Sequence, residues 1–193
     1  MSFRPITDTW LLARPKVPYY GAYPAGFLER ARWMLPVLPT DPVLHVCAGR
    51  VRDYSSPDRG VKKGVPLRGF YPSDITVDID PLVSPDVVCD VSQPGWASNM
   101  YAFATLFRGI LIDRPYTEDD AKKYRMASKD LPTMKVLLTG ANELLLDGGR
   151  VGVLDYVWPR PVPGLYPVAK IGVSCGFGNR DRCFSVFERR GEP

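Results

Sequence analysis

Short runs of valine, isoleucine and leucine alternate along the chain with segments whose apolar residues recur every three or four positions. "PVLHVCAG", "DITVDID", "PDVVCDV", "GILID" and "RVGVLDYVW" predict five buried strands, and most end on an acid or a glycine. "AKIGVSC" and "CFSVFERR" predict a closing hairpin across the polar connection "GFGNRDR". Phe27, Leu28, Ala31 and Leu35 fall at helical spacing, and Pro36 and Pro39 stop that helix. "WASNMYAFATLF" predicts a second helix, and "TEDDAKKYRMAS" a third that opens with Thr117 and acids suited to a helix N-terminus. "LPTMKVLLTGANELLLDGG" predicts a fourth, running to Gly148 and Gly149. Strands alternating with helices imply an α/β fold: a mostly parallel seven-stranded sheet with a C-terminal antiparallel hairpin at one edge.

Two stretches break the alternation. Residues 1–23, rich in proline and aromatics, read as an N-terminal arm laid over the core. Residues 50–73 form a long loop in which Arg50, Arg52, Arg59, Lys62, Lys63 and Arg68 are spread among glycine, proline and serine. With 193 residues, the expectation is a single domain over 1–193. A net charge of +4 permits an anionic partner without requiring one. Cys47, Cys89, Cys175 and Cys183 show no metal-site spacing and read as free thiols of a reducing, intracellular (cytoplasmic) compartment. The start "MSFRPITDTW" has no signal-peptide core, and the longest apolar run is short for a membrane span and carries Arg108. No membrane partner is expected.

The strand ends bear the chemistry. In open α/β sheets a ligand lies in the crevice beyond the carboxyl ends of the strands. Here those ends carry, in order, Gly49, Asp78 or Asp80, Asp90 and Asp113. A glycine turn lets a ligand approach the backbone, an acid after the second strand can accept both ribose hydroxyls, and a third polar residue suits an adenine edge. That order describes a nucleoside-containing cofactor. His45, the only histidine, reads as a core residue rather than a catalyst.

The series "VLHVCAG", "ITVDIDP", "DVVCDV", "ILIDRPY" and "GGRVGVLDY" resembles the ordered motifs of class I S-adenosylmethionine-dependent methyltransferases. The nearest likeness is to the nucleic-acid amino-methyltransferases of the DNA adenine-N6 and cytosine-N4 type, which carry D/N/S-P-P-Y. The resemblance implies a Rossmann-like fold with S-adenosylmethionine as cofactor. It implies cofactor contacts from Tyr20 (in "YYGAYPAGFL"), Ala48, Gly49, Asp78, Ile79, Asp90, Val91 and Asp113, with Asp80 as the alternative ribose acid. It implies a catalytic motif of Asp113, Arg114, Pro115 and Tyr116. There are three departures: His45 stands where the family's first strand usually has an acid, Arg50 or Val51 where it has a second glycine, and Arg114 where the catalytic motif has its first proline.

Methyl transfer from a sulfonium to an exocyclic amine is an in-line displacement that needs no metal. A carboxylate and a backbone carbonyl that accept from the amine favour a nucleophilic, tetrahedral nitrogen. Asp113 would be the first acceptor, and the Arg114 carbonyl, held extended by Pro115, the second. The ring of Tyr116 would stack on the base. The Arg114 side chain could grip a substrate phosphate or carboxylate, or pair with Asp113 and block the site.

The implied activity is methylation of a nucleobase amino group, foremost adenine in DNA. An RNA or small-molecule methyltransferase, and a catalytically degenerate fold acting as a binding or scaffold protein, are the alternatives. Arg50, Arg52, Lys62, Lys63 and Arg68 would face the nucleic acid, with a partner or homodimer assisting target recognition.

Overall fold

The structure is a computed structural model describing residues 4–14, 22–52, 69–103, 106–115, 117, 119, 131–176 and 180–191. Its centre is one mixed sheet built on β2 (Val43–Val46), whose four residues are all buried. β5 (Phe107–Ile112) lies parallel to β2 on one side and β3 (Ile75–Asp78) on the other. The outer strands are β4 (Val87–Val88), β6 (Leu145–Asp155), β8 (Arg182–Arg189), β7 (Leu165–Ser174) and β1 (Ile6–Leu11). The order across the sheet is β1-β7-β8-β6-β5-β2-β3-β4, and only β8 runs antiparallel to its neighbours.

Two expectations are corrected here. The sheet has eight strands, because part of the N-terminal arm forms β1 along β7, from Ile6↔Ala169 to Leu11↔Ser174. That strand was hidden from hydrophobic patterning because only Trp10 within it is buried. The closing hairpin does not sit at an edge either: β8 is inserted between β6 and β7. Its run Cys183–Phe187 is buried throughout, and a strand buried that fully fits the sheet interior.

Each face of the sheet has its own core. One holds α1 (Phe27–Met34), where Phe27 packs edge-on against Phe184 at 5.1 Å and Trp10 lies 5.6 Å from Phe184. The other holds α2 (Met134–Leu144) and a 3-10 helix over Trp96–Phe103, with Trp96, Met100, Leu137 and Leu138 buried against Val151 and Phe187. The second predicted helix is therefore of the tighter 3-10 type. The one predicted from Thr117 lies almost wholly outside the described residues. Thr133 caps α2 by accepting from the Val136 amide at 3.3 Å. α2 stops at Leu144 rather than at the glycines. Leu145 turns extended to pair with Phe107 of β5, so sheet pairing overrides local helix preference.

At the amino edge of the sheet, Asp74 precedes β3 and binds Arg32 through Nη1 at 2.8 and 2.9 Å. It also accepts from the Val43 and Tyr71 amides, each at 2.9 Å. His45 is buried with Nε2 3.4 Å from Asp74 Oδ2, which places it in the core as its sequence context suggested. No helix among the described residues is long and apolar enough to cross a membrane.

Candidate active site

At the carboxyl edge, the turns after β2, β3, β4 and β5 open on one cleft of about 690 Å³ including its mouth. Its floor is the turn Cys47–Ala48–Gly49. Cys47 (φ 57°) and Gly49 (φ 51°) both lie in the left-handed region, which a glycine adopts without cost and a cysteine does not. The turn is tied to β3 in two ways. The Ala48 amide donates to the Val77 carbonyl at 3.1 Å, and the Gly49 amide to Asp78 Oδ2 at 2.8 Å.

Asp78 also accepts the Asp80 amide on Oδ1 at 2.9 Å. Its carboxylate thus bridges two turns while each oxygen retains acceptor capacity. Burial pushes the Asp78 carboxyl above its ordinary value, only partly opposed by the Asp80 and Gly49 amides. Hydroxyl donors arriving in the cleft would stabilise its charged form. Asp80, the alternative ribose acid, lines the same cleft, and its Oδ1 accepts the Leu82 amide at 2.9 Å and caps the short turn Pro81–Val83. Asp90 accepts the Ser92 amide at 3.0 Å.

Ala48, Gly49, Asp78, Ile79, Asp90, Val91, Asp113 and Pro115, all expected from the sequence, line this cleft. Tyr20 and Tyr116 lie outside the described residues. Tyr23, in the same sequence segment, lines the cleft wall and stacks on Phe27 at 5.4 Å. Cys47, Val83 and Pro132 also line it and carried no sequence signal. Burial first, then the charges of Asp78 and Asp113, hold the Cys47 thiol well above its usual range, so it meets a ligand as a neutral group. The lining suits an adenosine-type cofactor in kind: carboxylates for a diol and an amine, Ile79, Val83 and Val91 for a ring, and a bare glycine turn for an amino-acid tail.

Arg114 follows the putting-forward of Asp113 at the end of β5, where the Asp113 amide donates to the Val46 carbonyl at 3.3 Å. Its Nε binds Asp155 Oδ2 at 3.1 Å and its Nη1 donates to the Pro132 carbonyl at 3.1 Å. The guanidinium therefore staples the end of β5 to the end of β6 and to the approach to α2. Asp155, buried at the end of β6, turns its other oxygen to the Tyr156 amide at 2.6 Å. This strand-end acid was visible in "GVLDY", but nothing in the sequence announced its partner.

The basic stretch is described only at its start. Arg52 is tied into the fold, paired with Asp86 and donating to Thr76 Oγ1 at 3.3 Å. Arg50 is exposed beside the glycine turn. Arg59, Lys62, Lys63 and Arg68 lie outside the described residues.

No protein-family model and no curated protein matches the sequence. Solved structures do. TrmN from Thermus thermophilus is 16% identical, with a TM-score of 0.56 over 88% of this chain and 50% of its own. The rRNA methyltransferase aviRa from Streptomyces viridochromogenes is 14% identical, with a TM-score of 0.51 over 89% of this chain and 87% of its own. The chain thus spans about half the length of the first and most of the second. At these identities the similarity speaks for architecture alone: the chain shares its fold with these two structures.

Proposed function

We propose that the protein is an S-adenosylmethionine-dependent N-methyltransferase acting on an exocyclic amino group of a nucleobase. The observation that carries this reading is that the amide-bridged Asp78 lines one cleft together with Asp113 and Pro115. The cofactor, when bound, supplies a sulfonium methyl group as electrophile. Asp78 receives the ribose hydroxyls, Asp90 the adenine edge, and Gly49 leaves room for the amino-acid end.

Asp113 accepts a hydrogen bond from the target amine, orients its lone pair and takes up its proton. The Arg114 carbonyl supplies the second acceptor. Pro115 keeps that residue out of the helical region, and the bonds to Asp155 and Pro132 hold its side chain. Those bonds favour the catalytic reading over a degenerate scaffold, since the guanidinium is engaged by Asp155 rather than silencing Asp113. Tyr116 stacks on the base in this reading.

RNA stands ahead of DNA as the substrate. The rRNA methyltransferase aviRa shares the fold over most of both chains. Calorimetry with S-adenosylmethionine or its demethylated product tests the cofactor site, and no heat at high concentration would sink the proposal. Labelled methyl transfer to RNA, DNA and free nucleosides then assigns the substrate. Asp113→Ala is expected to lower transfer at least ~100-fold while cofactor affinity stays unchanged.

A further inference from the structure

The connection from β6 to β7 is unusual for parallel strands. Such crossovers normally carry an α-helix that covers the sheet, yet residues 156–164 form none. The segment "YVWPRPVPG" instead crosses that face as an irregular, proline-rich strap. It is pinned at both ends. At its start, Asp155 Oδ1 accepts the Tyr156 amide at 2.6 Å. Toward its end, Val162 packs on the core and the Pro163 carbonyl accepts from Asn142 Nδ2 at 3.2 Å.

Between the pins the strap presents aromatic rings rather than burying them. Tyr156 is 37% exposed and Trp158 43%. Each has a cation at one face: Arg180 lies 5.7 Å from the Tyr156 ring and Lys170 5.6 Å from that of Trp158. Arg160 is exposed on the strap as well, and the exposed acid beside Arg180 is Asp181. The row starts next to the catalytic motif, because Asp155, which binds Arg114, is the residue before Tyr156.

We propose that this strap is a platform for single-stranded nucleic acid, holding unstacked bases on Tyr156 and Trp158 and phosphates on Arg160, Lys170 and Arg180. The inference rests on the methyltransferase reading for its purpose but not for its test. Aromatic faces interleaved with cations hold single strands by stacking and charge together, and every base offers a face to stack. Proline on either side of Arg160 limits what the strap loses in freedom on binding. A base that must offer its amino group to Asp113 is necessarily out of its helix, so a single-strand platform beside that residue suits the chemistry.

The test is fluorescence anisotropy with a short labelled mixed-sequence oligoribonucleotide, its deoxy counterpart and the corresponding duplex, on protein saturated with S-adenosylhomocysteine. Both single strands are expected to bind, and their ratio names the nucleic acid. Trp158→Ala and Tyr156→Ala should each weaken that binding about tenfold or more. Trp158→Phe should restore most of it. Lys170→Ala should flatten the salt dependence. Unchanged affinity in both alanine variants, tighter binding of the duplex, or no binding of any strand at low salt would overturn the platform. S-adenosylhomocysteine binding, measured by calorimetry on the same variants, should not move. If the wild-type protein fails to bind it, the methyltransferase reading falls, and the same oligonucleotides on the cofactor-free protein still decide the platform.

Discussion

Asp74 and Asp78 stand at the two ends of the same short strand, β3, and their surroundings differ in kind. Asp74, only 3% exposed, is surrounded by donors, Arg32 and the Val43 and Tyr71 amides, with the His45 ring 3.4 Å away. Burial pushes its carboxyl up, but these neighbours outweigh burial and leave it below its ordinary value of 3.8. Among the described residues Asp78 accepts from backbone amides alone, and burial leaves it above that value. One acid is satisfied by the fold. The other is left needing donors at the mouth of a cleft, and a ligand that brings hydroxyls supplies them. The difference separates an acid that holds the structure together from one poised for binding, although both look alike in "SDITVDID".

The comparison is broken most severely by Asp74→Ala, which leaves the Arg32 guanidinium buried without its carboxylate. A loss of about 3–5 kcal/mol in folding stability is expected, with cofactor affinity of the folded protein unchanged. Denaturant unfolding and calorimetry on the same variant check both halves. Arg114→Ala is expected to lower kcat on the order of 100-fold by releasing the end of β5, again with cofactor affinity preserved. Wild-type turnover in that variant would show that the bond to Asp155 does not position the motif. Asp78→Ala should weaken cofactor binding by about 1.5–3 kcal/mol and, by removing the acceptor of the Gly49 and Asp80 amides, also lower the stability of the unliganded protein.

The pH dependence of the two acids runs in opposite senses. For Asp74, whose folded value is lowered, the stabilisation is present above 3.8 and is lost as pH falls through its folded value. For Asp78, whose folded value is raised, the folded state holds more protons between 3.8 and that value, so stability falls as pH rises through that interval. Cofactor affinity should therefore decline as pH drops through the raised Asp78 value, and Asp78→Asn should flatten that decline. The smallest effect is expected at the partly exposed pair Arg150–Glu188, 2.9 Å apart. Glu188→Gln should cost no more than about 1 kcal/mol and leave binding untouched.

The central strands were legible because their residues are buried on both faces, which writes continuous apolar runs such as "VLHV" and "GILI" into the sequence. The acids at their ends were legible for the same reason, since each interrupts such a run. β1 was not, because an edge strand with one buried side chain leaves almost no pattern. The end of α2 was misplaced because Leu144 and Leu145 are both buried, one in a helix and one in a strand. Periodicity cannot tell those apart without knowing that Phe107 waits beside the second. Cys47 and Pro132 join the cleft through contacts distant in sequence, so no local pattern names them.

By itself the sequence determined an α/β chain with a glycine turn and a row of acids following its strands, because burial and turn chemistry act over a few neighbouring residues. Only the tertiary structure decided what each acid does. Asp74, Asp78, Asp113 and Asp155 are the same side chain, and what separates them is which donors the fold brings within reach. The same holds for Arg114. Its place beside Asp113 left open whether it would recruit a substrate or silence the site. The packing of β5 against β6 put Asp155 within 3.1 Å of its Nε, and that contact gave the arginine a third task, as a tie between strands.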